Sequence, residues 1–186
     1  MPSAARPYTV ARRIVLVTGA PGAGKSTLAL PLAAELRFPL LTKDHIKETL
    51  HDSLDAPANL ESSRRLGAAA MRLLWALATR CPEAVLEANF LPHHPDTRPH
   101  LDSLAAQVVE VHCSCPPEEA SRRYAERAAT THPVHVIREL PPEALAQYDR
   151  PIGYGPVITV DTTRPTDPAA VAAQVRRAFD RQMMQP

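Results

Sequence analysis

A chain of 186 residues, 45% hydrophobic and 22% charged, can bury a core of its own and is expected to form one domain over residues 1–186. A formal net charge of +1 gives no reason to expect the broad basic face that phosphate-backbone binding uses, leaving room only for a short basic groove. No apolar run reaches the roughly 18 residues that span a bilayer.

Residues Met1 to Arg13 carry arginines but no apolar h-region, so no secretory signal is expected there. Ile14 to Thr18 is a short uninterrupted β-rich run, the pattern of a strand buried on both faces of a parallel sheet. A glycine-rich loop follows, then a helix from Ser26 to Leu36, in which Pro31 predicts a kink. Pro39 to Thr42 reads as a second strand ending at Lys43-Asp44, and helices are expected over His45 to Leu50 and Asn59 to Arg80. Ala84 to Glu87 and Val108 to Cys113 are the third and fourth strands. Pro116 and Pro117 open a helix with Glu118 and Glu119 in its first turn, where carboxylates suit the macrodipole. Val157 to Val160 is the fifth strand, and Asp167-Pro168 caps a last helix with an apolar stripe of Val171, Val175, Ala178 and Phe179. Strands alternating with helices predict a three-layer α/β sandwich around a parallel sheet. Residues 130–156 break that rhythm, are rich in proline, hold a helical candidate at Glu143 to Tyr148, and read as a lid or substrate segment.

The three cysteines, Cys81, Cys113 and Cys115, are odd in number and lie in or beside apolar runs, which points to reduced thiols and a cytoplasmic location. Cys113 and Cys115 have no second pair to complete a metal site. His132 and His135, and likewise His93 and His94, lack a companion ligand at metal spacing, so substrate contact or a plain loop role is expected.

Gly19-Ala20-Pro21-Gly22-Ala23-Gly24-Lys25-Ser26 matches G-x-x-x-x-G-K-[ST], placed between a buried strand and a helix as a phosphate cradle requires. Glycines at 19, 22 and 24 allow the backbone to aim N–H groups inward, and the helix adds its positive end. Lys25 is expected at the β- and γ-phosphates and the Ser26 hydroxyl on magnesium, making ATP and Mg the expected nucleotide and metal. The guanine-reading N-K-x-D and the D-x-x-G loop of GTP switches are absent, and the chain is small for a motor ATPase, so a kinase is favoured.

With that loop, T-K-D-H-I-K at 42–47, V-L-E-A-N-F at 85–90 and C-P-P-E-E-A-S-R-R-Y-A-E-R at 115–127, the sequence resembles the small P-loop kinases of the zeta-toxin, chloramphenicol phosphotransferase and polynucleotide 5′-kinase group. The resemblance implies a five-stranded sheet ordered 2-3-1-4-5 with a lid after strand four. It extends the cradle to Thr27 and matches Asp44 to the carboxylate that takes the proton of the attacking hydroxyl. The other reading of Asp44 is an N-cap for a helix starting at His45. Arg123 and Arg127 match the lid arginines. Four apart on one helix face they repel, and a shared phosphate would turn that repulsion into a clamp, the alternative being a solvated pair with Arg123 answered by Glu119. Arg122 is expected to pair with Glu118 and Glu126. Glu87 fits a magnesium carboxylate acting through water and Asn89 a substrate contact, with Asp161 after the fifth strand as the rival to Glu87. Lys47 stands where polynucleotide kinases of this group carry arginine, which favours a small hydroxylated acceptor such as an antibiotic, nucleoside or sugar over a 5′-hydroxyl oligonucleotide. A nucleotide-dependent binding protein without phosphotransfer is the third reading.

Overall fold

The central strand β1, Arg12–Thr18, buries Ile14 to Val17 completely, because the sheet continues on both of its sides and helices cover both of its faces. The structure, a computed structural model, describes residues 12–148 and 150–184, so the leading stretch read as lacking an h-region lies largely outside the described residues. Five parallel strands run in the order β2-β3-β1-β4-β5, the order that the family resemblance implies. The others are β2 (Leu40–Thr42), β3 (Glu83–Glu87), β4 (Ala106–Ser114) and β5 (Val157–Asp161).

Alternate residues of β1 divide the core in two. Val15 and Val17 join Leu28, Leu32, Val175 and Phe179 of helices α1 (Lys25–Leu36) and α7 (Pro168–Met183). Ile14 and Leu16 pack on the other face against α3 (Leu60–Ala78) and α4 (Thr97–Leu104), through Leu74, Trp75, Leu101 and Leu104. The predicted stripe on α7 is wholly buried, and the Asp167 carboxylate accepts from the N–H groups of Ala169 and Ala170 at 3.0 and 3.2 Å. Helix α1 runs unbroken through Pro31, whose neighbours Leu28, Ala29, Leu32 and Ala33 anchor it to the sheet. Cys113 and Cys115 sink into the same core cluster, where burial pushes the Cys113 thiol up to about 12, an unreactive state.

Two elements differ from expectation. Helix α2 spans Lys43–Ser53, starting two residues before His45, because the Thr42 hydroxyl accepts from the His45 N–H at 3.3 Å and is the N-cap. Asp44 therefore is not the cap; it sits inside the first turn. Helix α4 went unanticipated: it is short and holds Pro99, and its signal is only Leu101 and Leu104 at i, i+3.

After β4, α5 (Pro117–Arg127) leads into the predicted lid segment, which contains α6 (Pro142–Leu145) and a 3₁₀ turn at Ala146–Tyr148. The return to β5 is organised by a carboxylate that the strand pattern conceals. Glu110, fully buried in β4, accepts from the Thr18 hydroxyl at 2.7 Å and from the N–H groups of Ile152 and Gly153 at 2.9 Å each. Glu110→Ala would leave the buried Ile152 N–H without its acceptor and take one from the Gly153 N–H and from the Thr18 hydroxyl, which keeps His112 Nδ1 at 3.0 Å, so a loss of about 2–4 kcal/mol is expected in urea unfolding. A midpoint equal to wild type would contradict this role.

Candidate active site

Parallel register brings the carboxyl ends of three strands to one sheet edge, with Val17 beside Glu87 and Glu87 beside Thr42. The glycine loop after β1, the start of α2 after β2, and Glu87 and Asn89 at the end of β3 thus meet around one cavity of about 510 Å³. Pro21, Gly22, Gly24, Lys25 and Ser26 form one wall; Asp44, Lys47, Glu87 and Asn89 form another. Thr27 is exposed on α1 and is not part of the lining.

The loop closes with the Ala23 N–H donating to the Ala20 carbonyl at 3.0 Å, and Gly24, at φ 79°, caps α1. Two glycines are obligatory for space as well as conformation. At Gly19 (φ 130°) a Cβ would stand 2.5 Å from the Cys113 carbonyl oxygen, and at Gly22 (φ 85°) 2.1 Å from that of Ala120. Thr162, just after β5, holds the loop from behind: its hydroxyl reaches the carbonyls of Ala23 at 2.9 Å and Ser114 at 3.0 Å. Sequence reasoning missed Thr162, which has no motif around it. The cradle's fit to a nucleoside triphosphate lies in this turned backbone at a helix N-terminus.

Lys25 is buried, and its ammonium donates to the Ala20 carbonyl at 2.8 Å. Burial lowers its pKa, while the charge of Glu87 opposes that shift. Glu87 is 4% exposed; burial raises its pKa, with the Lys25 charge and a hydrogen bond to the Ser26 hydroxyl working the other way. A hydroxyl and a carboxylate in contact are the hard oxygen donors that suit magnesium. Asp161, the rival, instead accepts from the Thr163 N–H and hydroxyl at 2.9 and 2.6 Å and does not line the cavity. If Glu87 serves the metal, Glu87→Gln should raise the magnesium concentration for half-maximal activity 10- to 100-fold. An unchanged magnesium dependence would remove Glu87 from that role.

For Asp44, burial would raise the carboxyl, but the Lys43 ammonium at 3.1 Å, with His135 and Lys25 beyond it, outweighs burial and holds it below the ordinary value. It is ionised at neutral pH and faces the same cavity as Lys25.

The two arginines of α5 part company despite sharing a helix face. Arg127 lines the cavity, whereas Arg123 bonds to Glu119 at 2.6 Å and to the Thr162 carbonyl at 3.0 Å. Glu119 also takes Arg122, at 2.7 and 2.8 Å, so Arg122 pairs with Glu119 and Glu126 and not with Glu118. These bonds, from Arg122 and then Arg123, hold the Glu119 carboxyl at about 2.

The segment 130–156 is tied to α2 at two points. His135 contacts Glu48 at 2.9 Å and His132 contacts Asp52 at 3.0 Å. Spacing gave His132 no companion, yet the fold sets His51, Asp52 and His132 with ligand atoms within 4.8 Å of one another. The Val134 N–H donates to His132 Nδ1 at 3.2 Å, which puts the ring proton on Nε2, facing Asp52. In that tautomer His132 donates to Asp52 and tethers the segment to α2. His94 accepts from the Asp96 N–H at 3.3 Å, away from the cavity.

Comparison with known proteins agrees with this geometry. A kinase from Chloroflexus aurantiacus J-10-fl, provisionally assigned as such, is 29% identical with a TM-score of 0.78, over 90% of this chain and 98% of that one. Shikimate kinase from Acinetobacter baumannii shares the fold at 19% identity and a TM-score of 0.57, over 94% and 96% of the two chains. The APS kinase of Mycobacterium tuberculosis does so at 21% and 0.54, over 91% and 98%. No curated protein sequence matches. The family model described as AAA domain matches residues 14–151, and the chain belongs to that family, with the fold of the small P-loop kinases.

Proposed function

We propose that the protein transfers the γ-phosphoryl group of ATP to a hydroxyl of a small molecule held between the glycine loop and α2. One observation carries this reading: Lys25 and the ionised Asp44 line the same cavity of about 510 Å³, a volume suited to a phosphate group and a compact acceptor. From the segment 130–156, Val136, Ile137, Leu140 and Tyr148 add an apolar stretch to the lining, and that segment serves as the lid.

In the reaction the acceptor oxygen forms a bond to the γ-phosphorus as the bond from that phosphorus to the bridging oxygen of ADP breaks. Asp44 accepts the acceptor's proton, and the electron pair of the broken bond stays with ADP. Loop amides and Lys25 hold the charge that shifts toward the β-phosphate, and Arg127 meets the transferring group from the α5 side. Ser26, with Glu87 behind it, would hold magnesium, which neutralises phosphate charge when bound. Arg123 acts at one remove, bracing the Thr162 turn that supports the loop.

Incubation with [γ-³²P]ATP and a panel of hydroxylated metabolites, antibiotics and 5′-hydroxyl oligonucleotides tests the proposal. Label is expected in a small-molecule phosphate ester. Label confined to oligonucleotides would make the acceptor a nucleic acid, and nucleotide binding with no transfer to any acceptor would reject the kinase.

A further inference from the structure

The phosphoryl transfer proposed above makes no use of one buried cation of the cavity, Lys47. Lys47 is 6% exposed, and its one hydrogen-bond partner among the described residues is the Ser63 hydroxyl of α3, at 2.8 Å. No carboxylate of the described residues lies within ion-pair distance. The nearby acids are engaged elsewhere: Asp44 with Lys43 at 3.1 Å, and Glu48 with His135 at 2.9 Å. Lys43 stands one turn before Lys47, and both stems lie beside Gly67 of α3, 3.9–4.0 Å from where a Cβ would be. Two ammonium groups therefore share one helix face and one small-residue wall, and the nearby carboxylates, Asp44 and Glu48, are each engaged with another cation or imidazole.

A lysine kept there for stability alone is a poor solution. A buried ammonium needs a counter-charge and three acceptors, and Ser63 supplies one neutral acceptor. Burial and the Lys43 charge pull its pKa down to about 8, so it remains largely protonated at neutral pH. Methionine would fill the same space without that cost.

We propose that the ligand facing Asp44 carries an anionic group, a carboxylate or a phosphate ester, and that Lys47, braced by Ser63 and flanked by Lys43, is its subsite. In calling that ligand the acceptor, the inference rests on the kinase reading above. Asp44 and Lys47 are three residues apart on α2, with Cβ atoms about 5–6 Å from each other. A hydroxyl at Asp44 and an anion at Lys47 then describe a compact hydroxy acid or hydroxylated phosphate, with its two functional groups only a few bonds apart.

Two measurements test this separately from the kinase activity. In the first, matched pairs of hydroxy acids and their methyl esters, and of sugar phosphates and the free sugars, are offered with ATP to wild type and Lys47→Met. Wild type is expected to prefer the anion at least tenfold in kcat/KM, through KM, and Lys47→Met to lose that preference with kcat little changed. Equal use of neutral and anionic partners, or a preference that survives in Lys47→Met, would overturn the inference and leave the kinase intact. The variant should melt at or above the wild-type temperature; a lower melting point would make Lys47 a structural brace and also overturn it. In the second, lysine ¹³Cε resonances are followed against pH, with the loop filled by magnesium AMP-PNP and malonate as the anion. The Lys47 midpoint should rise by about one unit with malonate. A rise without transfer to any acceptor would keep the anion subsite and reject the kinase; no rise would reject the subsite.

Discussion

Lys25→Ala is expected to lower kcat on the order of 10³-fold, an effect matched in this site only by loss of the Asp44 carboxylate. The ammonium is buried and bonded to the Ala20 carbonyl within the turned loop, and a water entering in its place would bring no charge. Charge that develops on the bridging oxygen would then lose the one cationic side chain the loop itself supplies. Because desolvation already lowers the Lys25 pKa, its removal relieves a cost in the folded state, and the variant should keep its fold. Single-turnover transfer from labelled ATP, paired with a thermal melt, separates the two effects. Turnover within tenfold of wild type in a folded variant would rule out the site as described.

Asp44→Asn is expected to lower kcat about 10³-fold while the KM for ATP changes less than twofold. The amide keeps the shape and a hydrogen bond to the acceptor but cannot take its proton. The pH profile follows from the sign of the shift. Asp44 lies below the ordinary aspartate value of 3.8, so it stays ionised as pH falls through the range where a free carboxylate would protonate. The acidic limb of kcat/KM for the acceptor should accordingly lie below that range in wild type. A limb near pH 6 would point to a different base. On the alkaline side Lys47, at about 8, loses its charge as pH rises, so acceptor kcat/KM should fall above that value through KM.

Local signals in the sequence carried the sheet and the cradle. β1 carries an uninterrupted buried run from Ile14 to Thr18, and the loop after it has glycines at the positions whose carbonyl neighbours, Cys113 and Ala120, leave no room for a Cβ. Strand order came from the family resemblance, since no local pattern in a parallel sheet states which strands are neighbours. The start of α2 was displaced because two cap-forming residues, Thr42 and Asp44, compete there, and only backbone geometry decides between them. Arg123 and Arg127 illustrate the limit of spacing arguments. Both lie on one face of α5, but Glu119 and the Thr162 carbonyl, 39 residues away, draw the first aside and leave Arg127 at the cavity. Thr162 and Glu110 were illegible for the same reason: each acts through backbone groups that become its neighbours only after folding. Ser63 belongs with them, since a serine on an amphipathic helix gives no hint that it will meet Lys47.

The triphosphate of a magnesium nucleotide is expected to lie in the curl of residues 19–26. Isothermal titration of magnesium AMP-PNP into the wild type and into Lys25→Ala tests it most directly. One site per chain is expected in the wild type, dependent on magnesium and weakened at least tenfold in the variant. Absence of binding to the wild type, or equal binding by both proteins, would contradict it.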